Sequence, residues 1–165
     1  MAAKKTIAIV TEDANMAKNL VHKLSTEQFR ILFVTENAHK FKSVAAEISE
    51  KDQEAEVEIM NCAREGCWEA DLILLAAAPF TESAIADSIR DVAVQKMVIS
   101  INKVDNHENM SCKKLEKLLP HSKVVIAEMN WPSPEIVLNG IDEETLQIVS
   151  EIFEIDGYYP KPGKN

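Results

Sequence analysis

The stretch IAIVTEDANMAKNLVHKL, residues Ile7–Leu24, decides how the rest of this chain is read. Ile7–Val10 is a short β-branched run, the pattern of a strand buried on both faces. Met16, Leu20, Val21 and Leu24 then recur at helical spacing, and Asp13 stands where an N-cap is expected. Strand, tight loop and amphipathic helix follow one another within this stretch. In an α/β protein such a junction presents backbone amides at a helix N-terminus, where an anion can sit. The loop itself, Thr11–Ala17 (TEDANMA), has no glycine and carries two adjacent acids. Scaffold and loop chemistry therefore point in opposite directions.

Outward from that stretch the same alternation continues. Arg30–Thr35 reads as a second strand and Ala38–Ser49 as a helix, with Phe41, Val44, Ala45 and Ile48 on one face. Val57–Met60 is a third strand, and Arg64–Ala70 a connector with at most a helical turn. Asp71–Ala78 (DLILLAAA) is the most apolar run and reads as a central strand stopped by Pro79. Thr81–Val94 follows as a helix and Lys96–Ile101 as a fifth strand. Asn102–Ser111 is a polar loop, and Cys112–Leu119 a short helix ended by Pro120. Lys123–Ala127 is a sixth strand, Met129–Pro134 a loop, Glu135–Leu138 another strand, and Glu143–Glu154 the last long helix. From about residue 156 the tail holds a final edge strand and then frays.

Apolar β-runs alternating with helical patterns imply a single α/β domain over residues 1–165. Its doubly wound, mostly parallel sheet has about 6–8 strands, with helices on both faces. Ligands in such sheets bind beyond the carboxyl ends of the strands, at the switch point. That edge is built from Thr11–Met16, Thr35–Asn37, Ala76–Phe80 and Ile101–Asp105.

Composition narrows the partners. A formal net charge of −9 disfavours nucleic acid and anionic membranes, since nothing neutralises phosphates. Three cysteines without a CxxC pair, and no export signal at MAAKKTIAIV, fit a cytoplasmic protein. No apolar run is long enough to span a bilayer. His107, Cys112 and His121 match no compact zinc spacing, so no metal is expected. Cys62 and Cys67 read as buried or half-buried thiols. Trp131 reads as a loop anchor or a pocket cover, and Tyr158 and Tyr159 as edge packing or a homodimer contact.

In order along the chain, these pieces resemble the small NADP-binding domain of deazaflavin-dependent NADP oxidoreductases and their dinucleotide-binding relatives. TEDANMA lies on that family's GGTGNMG loop without a gap, keeping Asn15 and Met16. Thr35-Glu36 falls where the family's second strand ends in Ser-Arg. Leu74–Phe80 (LLAAAPF) is similar to its Leu-Ala-Val-Pro, and Ile99–Val104 (ISINKV) to its Thr-Asn-Pro, without the proline. Leu118–Asn130 is similar to its LPgakVVkafN, and Glu143–Gly163 to its last helix and proline-containing tail. The resemblance implies a Rossmann-like fold and a nicotinamide dinucleotide, NAD or NADP, as cofactor for hydride transfer. It places Thr11, Glu12, Asp13, Ala14, Asn15 and Met16 at the phosphates and Thr35 and Glu36 at the ribose. Ala78, Pro79 and Asn102 fall near the nicotinamide.

The departures bear on activity. The three fingerprint glycines turn the chain, admit the pyrophosphate and let helix and strand approach. Glu12, Ala14 and Ala17 stand in their places. Ala14 adds a methyl on the phosphate path. Glu12 beside phosphate is a like-charge contact costing about 1–4 kcal/mol, depending on solvent access. Asp13 competes for the helix N-terminus. Glu36, 19 residues beyond Ala17, suits ribose hydroxyls and repels a 2′-phosphate, which favours NAD over NADP; a solvated first-turn acid is the alternative.

The acidic pair Glu12-Asp13 also fits a phosphoreceiver domain, but the phospho-accepting Asp would fall at Ala76, and no carboxylate occupies Ala76–Pro79. Two functions stay open. One is an NAD(P)-dependent oxidoreductase. The other is a non-catalytic Rossmann module that has lost dinucleotide binding and binds a small ligand or a protein, as a homodimer.

Overall fold

The computed structural model describes residues 3–23, 28–103, 109–130, 132–155 and 157–163. Eight strands form one sheet in the order β3-β2-β1-β4-β5-β6-β7-β8. β1 (Lys5–Val10), β2 (Phe29–Val34), β3 (Val57–Met60), β4 (Leu72–Leu75), β5 (Met97–Lys103) and β6 (Lys123–Met129) are mutually parallel. β7 (Glu135–Gly140) turns back antiparallel to β6, and β8 (Tyr159–Pro162) lies parallel to β7. This is the expected doubly wound α/β sheet of Rossmann type.

The apolar runs explain the layering. β1 and β4 have no exposed residue after Lys5, because helices cover both faces. One face carries α1 (Ala14–Lys23), α2 (Ala38–Lys51) and α6 (Glu143–Ile155), which bury Leu20, Phe41 and Phe153 against Ile7, Phe33 and Ile99. The other carries α3 (Ala63–Glu69), α4 (Pro79–Ile89) and α5 (Cys112–Leu118), which bury Cys67, Ile89 and Leu115 against Val34, Ile73 and Ile126. Phe33 and Phe41 meet at a ring separation of 5.6 Å across β2 and α2. Gly66 lets α3 lie close on β2: a Cβ there would stand 2.6 Å from Val34 Cγ2.

Several boundaries differ from the sequence expectation. The central strand stops at Leu75 rather than Ala78, because its ladders to β1 and β5 end there. Pro79 does not merely stop a strand. It opens α4, a position where its missing N–H costs nothing. That helix ends at Ile89 rather than Val94, as Val92 and Ala93 both turn back to donate to the Ile89 carbonyl. The expected connector at 64–70 is a helix, α3. Strands β5 and β6 run two residues further than expected, to Lys103 and Met129.

The C-terminal strand is half proline. Tyr159 and Gly163 donate their backbone N–H groups inward, to Pro134 and Leu138 of the β7 side. The alternate positions are Pro160 and Pro162. Tyr158 is buried and meets Phe153 edge-on at 5.5 Å, while Tyr159 is exposed. Expectations for Leu24, Asp105, His107 and Trp131 fall outside the described residues.

Candidate functional site

The winding direction of the sheet reverses between β1 and β4, so the loops after these strands part and leave a crevice. The crevice has two parts. An open groove of about 560 Å³ runs over the start of α1, between Asp13, Ala14 and Asn15 on one side and Ala76–Ala78 on the other, with Lys40 of α2 at its edge. A smaller cavity of about 170 Å³ lies toward β2 and β3, walled by Val10, Val34, Ala63, Ala77 and Ile85. Glu12 and Thr81 border both.

Strand register fixes where Glu12 points. β1 and β2 pair in parallel up to Val10↔Val34. Carried two residues on, the same offset sets Glu12 beside Glu36. The Glu12 carboxylate accepts the Thr35 hydroxyl proton at 2.8 Å and the Glu36 backbone N–H at 2.9 Å. Thr35 is itself held, accepting the Asn37 N–H on the same hydroxyl at 3.0 Å. The loop acid is therefore not turned toward the start of α1. It spans the gap to β2 and takes up the donors at that strand's end.

Asp13 does what the sequence pattern predicts. Its Oδ1 accepts the backbone N–H groups of Asn15 at 3.0 Å and Met16 at 3.1 Å, capping α1. The Asp13 N–H bonds back to the Thr11 hydroxyl at 3.1 Å, which closes the turn. These are the amides a pyrophosphate would need. Ala17 is fully buried within the core, and Ala14 packs partly against it. In the usual pose of NAD(P) the pyrophosphate would meet Asp13 at the helix start, and the 2′-phosphate of NADP would meet Glu12 at the end of β2.

The remaining expected residues divide. Thr11–Met16, Thr35–Glu36 and Ala78-Pro79 come together at one sheet edge. The Glu36 side chain is exposed, and its backbone serves Glu12. Phe80 beside Pro79 is 89% exposed. Asn102 lies inside the protein, where its Nδ2 donates to the Met110 carbonyl at 2.9 Å and its Oδ1 faces the Ser100 hydroxyl at 3.4 Å.

Sequence reasoning missed the neighbour of that pair. Glu82, in the first turn of α4, is fully buried, and neither carboxylate oxygen has a hydrogen-bond partner. Burial pushes its pKa up to about 7; the nearby Ser100 hydroxyl and the Lys114 charge offset this only in part. The signal was present in the sequence, since Glu82 shares its helical face with the buried Ala86 and Ile89.

The other candidates have ordinary surroundings. Cys67 is buried, which pushes its thiol up to about 12 even though the Lys96 charge opposes the shift. Lys96 itself donates to the Cys67 and Trp68 carbonyls, each at 2.7 Å. Among the described residues no group of three or more His, Cys, Asp or Glu side chains could hold a metal ion. None of the described helices is long and apolar enough to cross a membrane.

Fold and crevice together define a Rossmann-type α/β domain. No protein-family model matches the chain, and no curated protein matches it by sequence. Solved structures do match. Pyrroline-5-carboxylate reductase from Coxiella burnetii superposes with a TM-score of 0.71 at 17% identity, over 99% of this chain and 60% of that one. The Plasmodium falciparum pyrroline carboxylate reductase, solved with NADP bound, gives 0.68 at 14% identity, over 97% and 58%. An Arthrobacter protein described as an f420-dependent NADP reductase gives 0.71 at 13% identity, over 94% and 82%. The chain thus spans about three-fifths of the length of the two pyrroline carboxylate reductases. At these identities the likeness establishes the fold, that of NAD(P)-dependent reductases and dehydrogenases.

Proposed function

We propose that this chain is a non-catalytic Rossmann module, a binding domain built on the scaffold of NAD(P)-dependent oxidoreductases without their phosphate site. One observation carries the reading. The place where the scaffold takes the pyrophosphate is filled by the chain's own Asp13 at the start of α1, and Glu12 at the end of β2 opposes the 2′-phosphate of NADP. A pyrophosphate would have to displace Asp13 from two amides and pass the Ala14 methyl. Its electrostatic opposition from the acids is about 1–4 kcal/mol, enough to lower affinity by one to three orders of magnitude.

A second reading, an NAD-dependent oxidoreductase, is favoured by the open groove and by Lys40 at its edge, a cation placed to meet a phosphate. In such an enzyme the cofactor supplies the hydride chemistry and the protein orients the rings.

Titration of NAD(H) and NADP(H), followed by thermal stability and nicotinamide fluorescence, separates the two. A ligand present at about 100 times its Kd adds about 2.7 kcal/mol of stability. The binding-module reading expects no shift at millimolar nucleotide, and a shift that appears in the Glu12→Gly, Ala14→Gly double variant. A saturable shift in the unaltered protein gives the oxidoreductase reading instead.

A further inference from the structure

We infer that Glu82, Ser100 and Asn102 form a proton-operated latch between the first turn of α4 and the residues leading into α5, closed while Glu82 carries a proton and opened when it loses it. The latch is independent of what occupies the crevice and stands under either reading above.

One line of polar groups runs between the two helices. Strand alternation turns Ser100 and Asn102 to the same face of β5 as Val98, the face that α4 and α5 cover. Glu82 is fully buried with both oxygens unpartnered, and the Ser100 hydroxyl is a polar group beside it. That hydroxyl donates to Asn102 Oδ1 at 3.4 Å, and Asn102 Nδ2 donates to the Met110 carbonyl at 2.9 Å. Met110 is buried, and the next residue, Ser111, caps α5 by accepting the Lys114 N–H at 3.1 Å.

The proton sets the direction of this line. Protonated Glu82 has an O–H to offer Ser100, which leaves the Ser100 hydrogen on Asn102. Ionised Glu82 has acceptors only. It draws the Ser100 hydrogen to itself, and Asn102 loses the donor on its oxygen. Thr81, next to Glu82, borders both parts of the crevice, so opening the latch also loosens a crevice wall.

Burial raises the Glu82 pKa to about 7, with Ser100 and the Lys114 charge of α5 opposing. Among the described residues the other ionisable groups on the packed elements are few. Cys112 of α5 is half-buried, and burial raises its thiol further above neutrality. Glu128 of β6 stands opposite Asn102 in the register. On α3 the buried Cys67 thiol is pushed up to about 12, and Arg64 pairs with Asp91 beyond the end of α4. Asp87 and Arg90 pair with each other. β4 brings Ile73 and Leu75 to this face.

Amide hydrogen exchange of the full chain, followed by NMR and corrected for its intrinsic pH dependence, tests the latch. The Glu82 and Leu115 N–H groups bond to the Ala78 and Ser111 carbonyls. Between pH 6 and pH 8 their exchange should speed up about tenfold, the effect of one pH unit above the release of the proton. Low urea should speed exchange at the buried Ile31 of β2 and leave these two unchanged, because a local opening exposes little surface. Glu82→Gln, whose amide still donates to Ser100 and cannot ionise, should abolish the rise at both positions. Ser100→Ala should keep it at Glu82 and remove it at Leu115, and Glu128→Gln should keep it at both. Exchange that stays flat in the unaltered protein overturns the latch. So does a rise that persists in Glu82→Gln, that vanishes in Glu128→Gln, that survives at Leu115 in Ser100→Ala, or that follows Ile31 in urea.

Discussion

Two glutamates, one in the loop after β1 and one in the first turn of α4, are held in opposite ways. Glu12 is exposed, and both its oxygens are met by donors from Thr35 and Glu36, just past β2. Glu82 is fully buried under α4, and neither oxygen has a donor. The first arrangement spends the chain's polar groups on an acid that water would have solvated anyway. The second leaves an acid where water cannot reach, with only the nearby Ser100 hydroxyl and the Lys114 charge to offset its burial. A buried polar group without a partner costs roughly 1–3 kcal/mol, and a buried charge costs more. Glu82 limits that cost by holding its proton, whereas the placement of Glu12 commits donors that the scaffold would offer a ligand. Position on the sheet alone does not say how an acid is handled. The supply of donors from the neighbouring strand does.

The contrast can be broken first at Glu82. Its pKa is raised from 4.5 to about 7 on folding. The folded state therefore binds the extra proton between these values, and the associated stability is complete below the lower value and lost as pH rises through the upper one. The shift amounts to about 3 kcal/mol. Urea denaturation at pH 5 and pH 8 should show the unaltered protein losing about that much relative to Glu82→Gln. Parallel behaviour of the two proteins would remove Glu82 as the titrating group.

A smaller gain is expected from taking the acid away. Glu82→Met at pH 8 replaces two unpartnered oxygens by an apolar group of similar volume and should stabilise by about 2 kcal/mol. On the exposed side the sign reverses. Asp13→Ala removes the cap of α1 and should destabilise by about 1 kcal/mol in the same denaturation assay. Glu12→Ala should cost less, about 0.5 kcal/mol, because the acid is exposed and Thr35 and Glu36 can turn to water. The smallest effect concerns chemistry rather than stability. With its thiol pushed up to about 12, Cys67 should be the slowest of the three cysteines to alkylate in the folded protein at pH 8, and should approach the rate of the others in urea. Rapid labelling of Cys67 in the native state would contradict its burial.

Much of the fold was legible because its strands are uninterrupted apolar runs. IAIV, RILFVT and KMVISI each became a strand of the parallel sheet, and the Asp13 cap followed from local chemistry alone. The end of DLILLAAA was not legible. Three alanines serve a strand or a loop equally well, and the ladders to β1 and β5 decide the matter. The pairing of Glu12 with Thr35 and Glu36 was hidden for a different reason. It depends on the register of two strands separated by a helix, and nothing in TEDANMA reveals that register. Glu82 was concealed by its residue type, since an acid in a first helical turn normally faces water.

The prolines of β8 have a consequence for assembly. With Tyr159 and Gly163 donating inward, the outward positions of this strand fall to Pro160 and Pro162, which have no N–H. The last strand therefore offers a further strand no donor at these positions. Pairing of a further strand at that edge is weakened by covalent structure rather than by charge or cover.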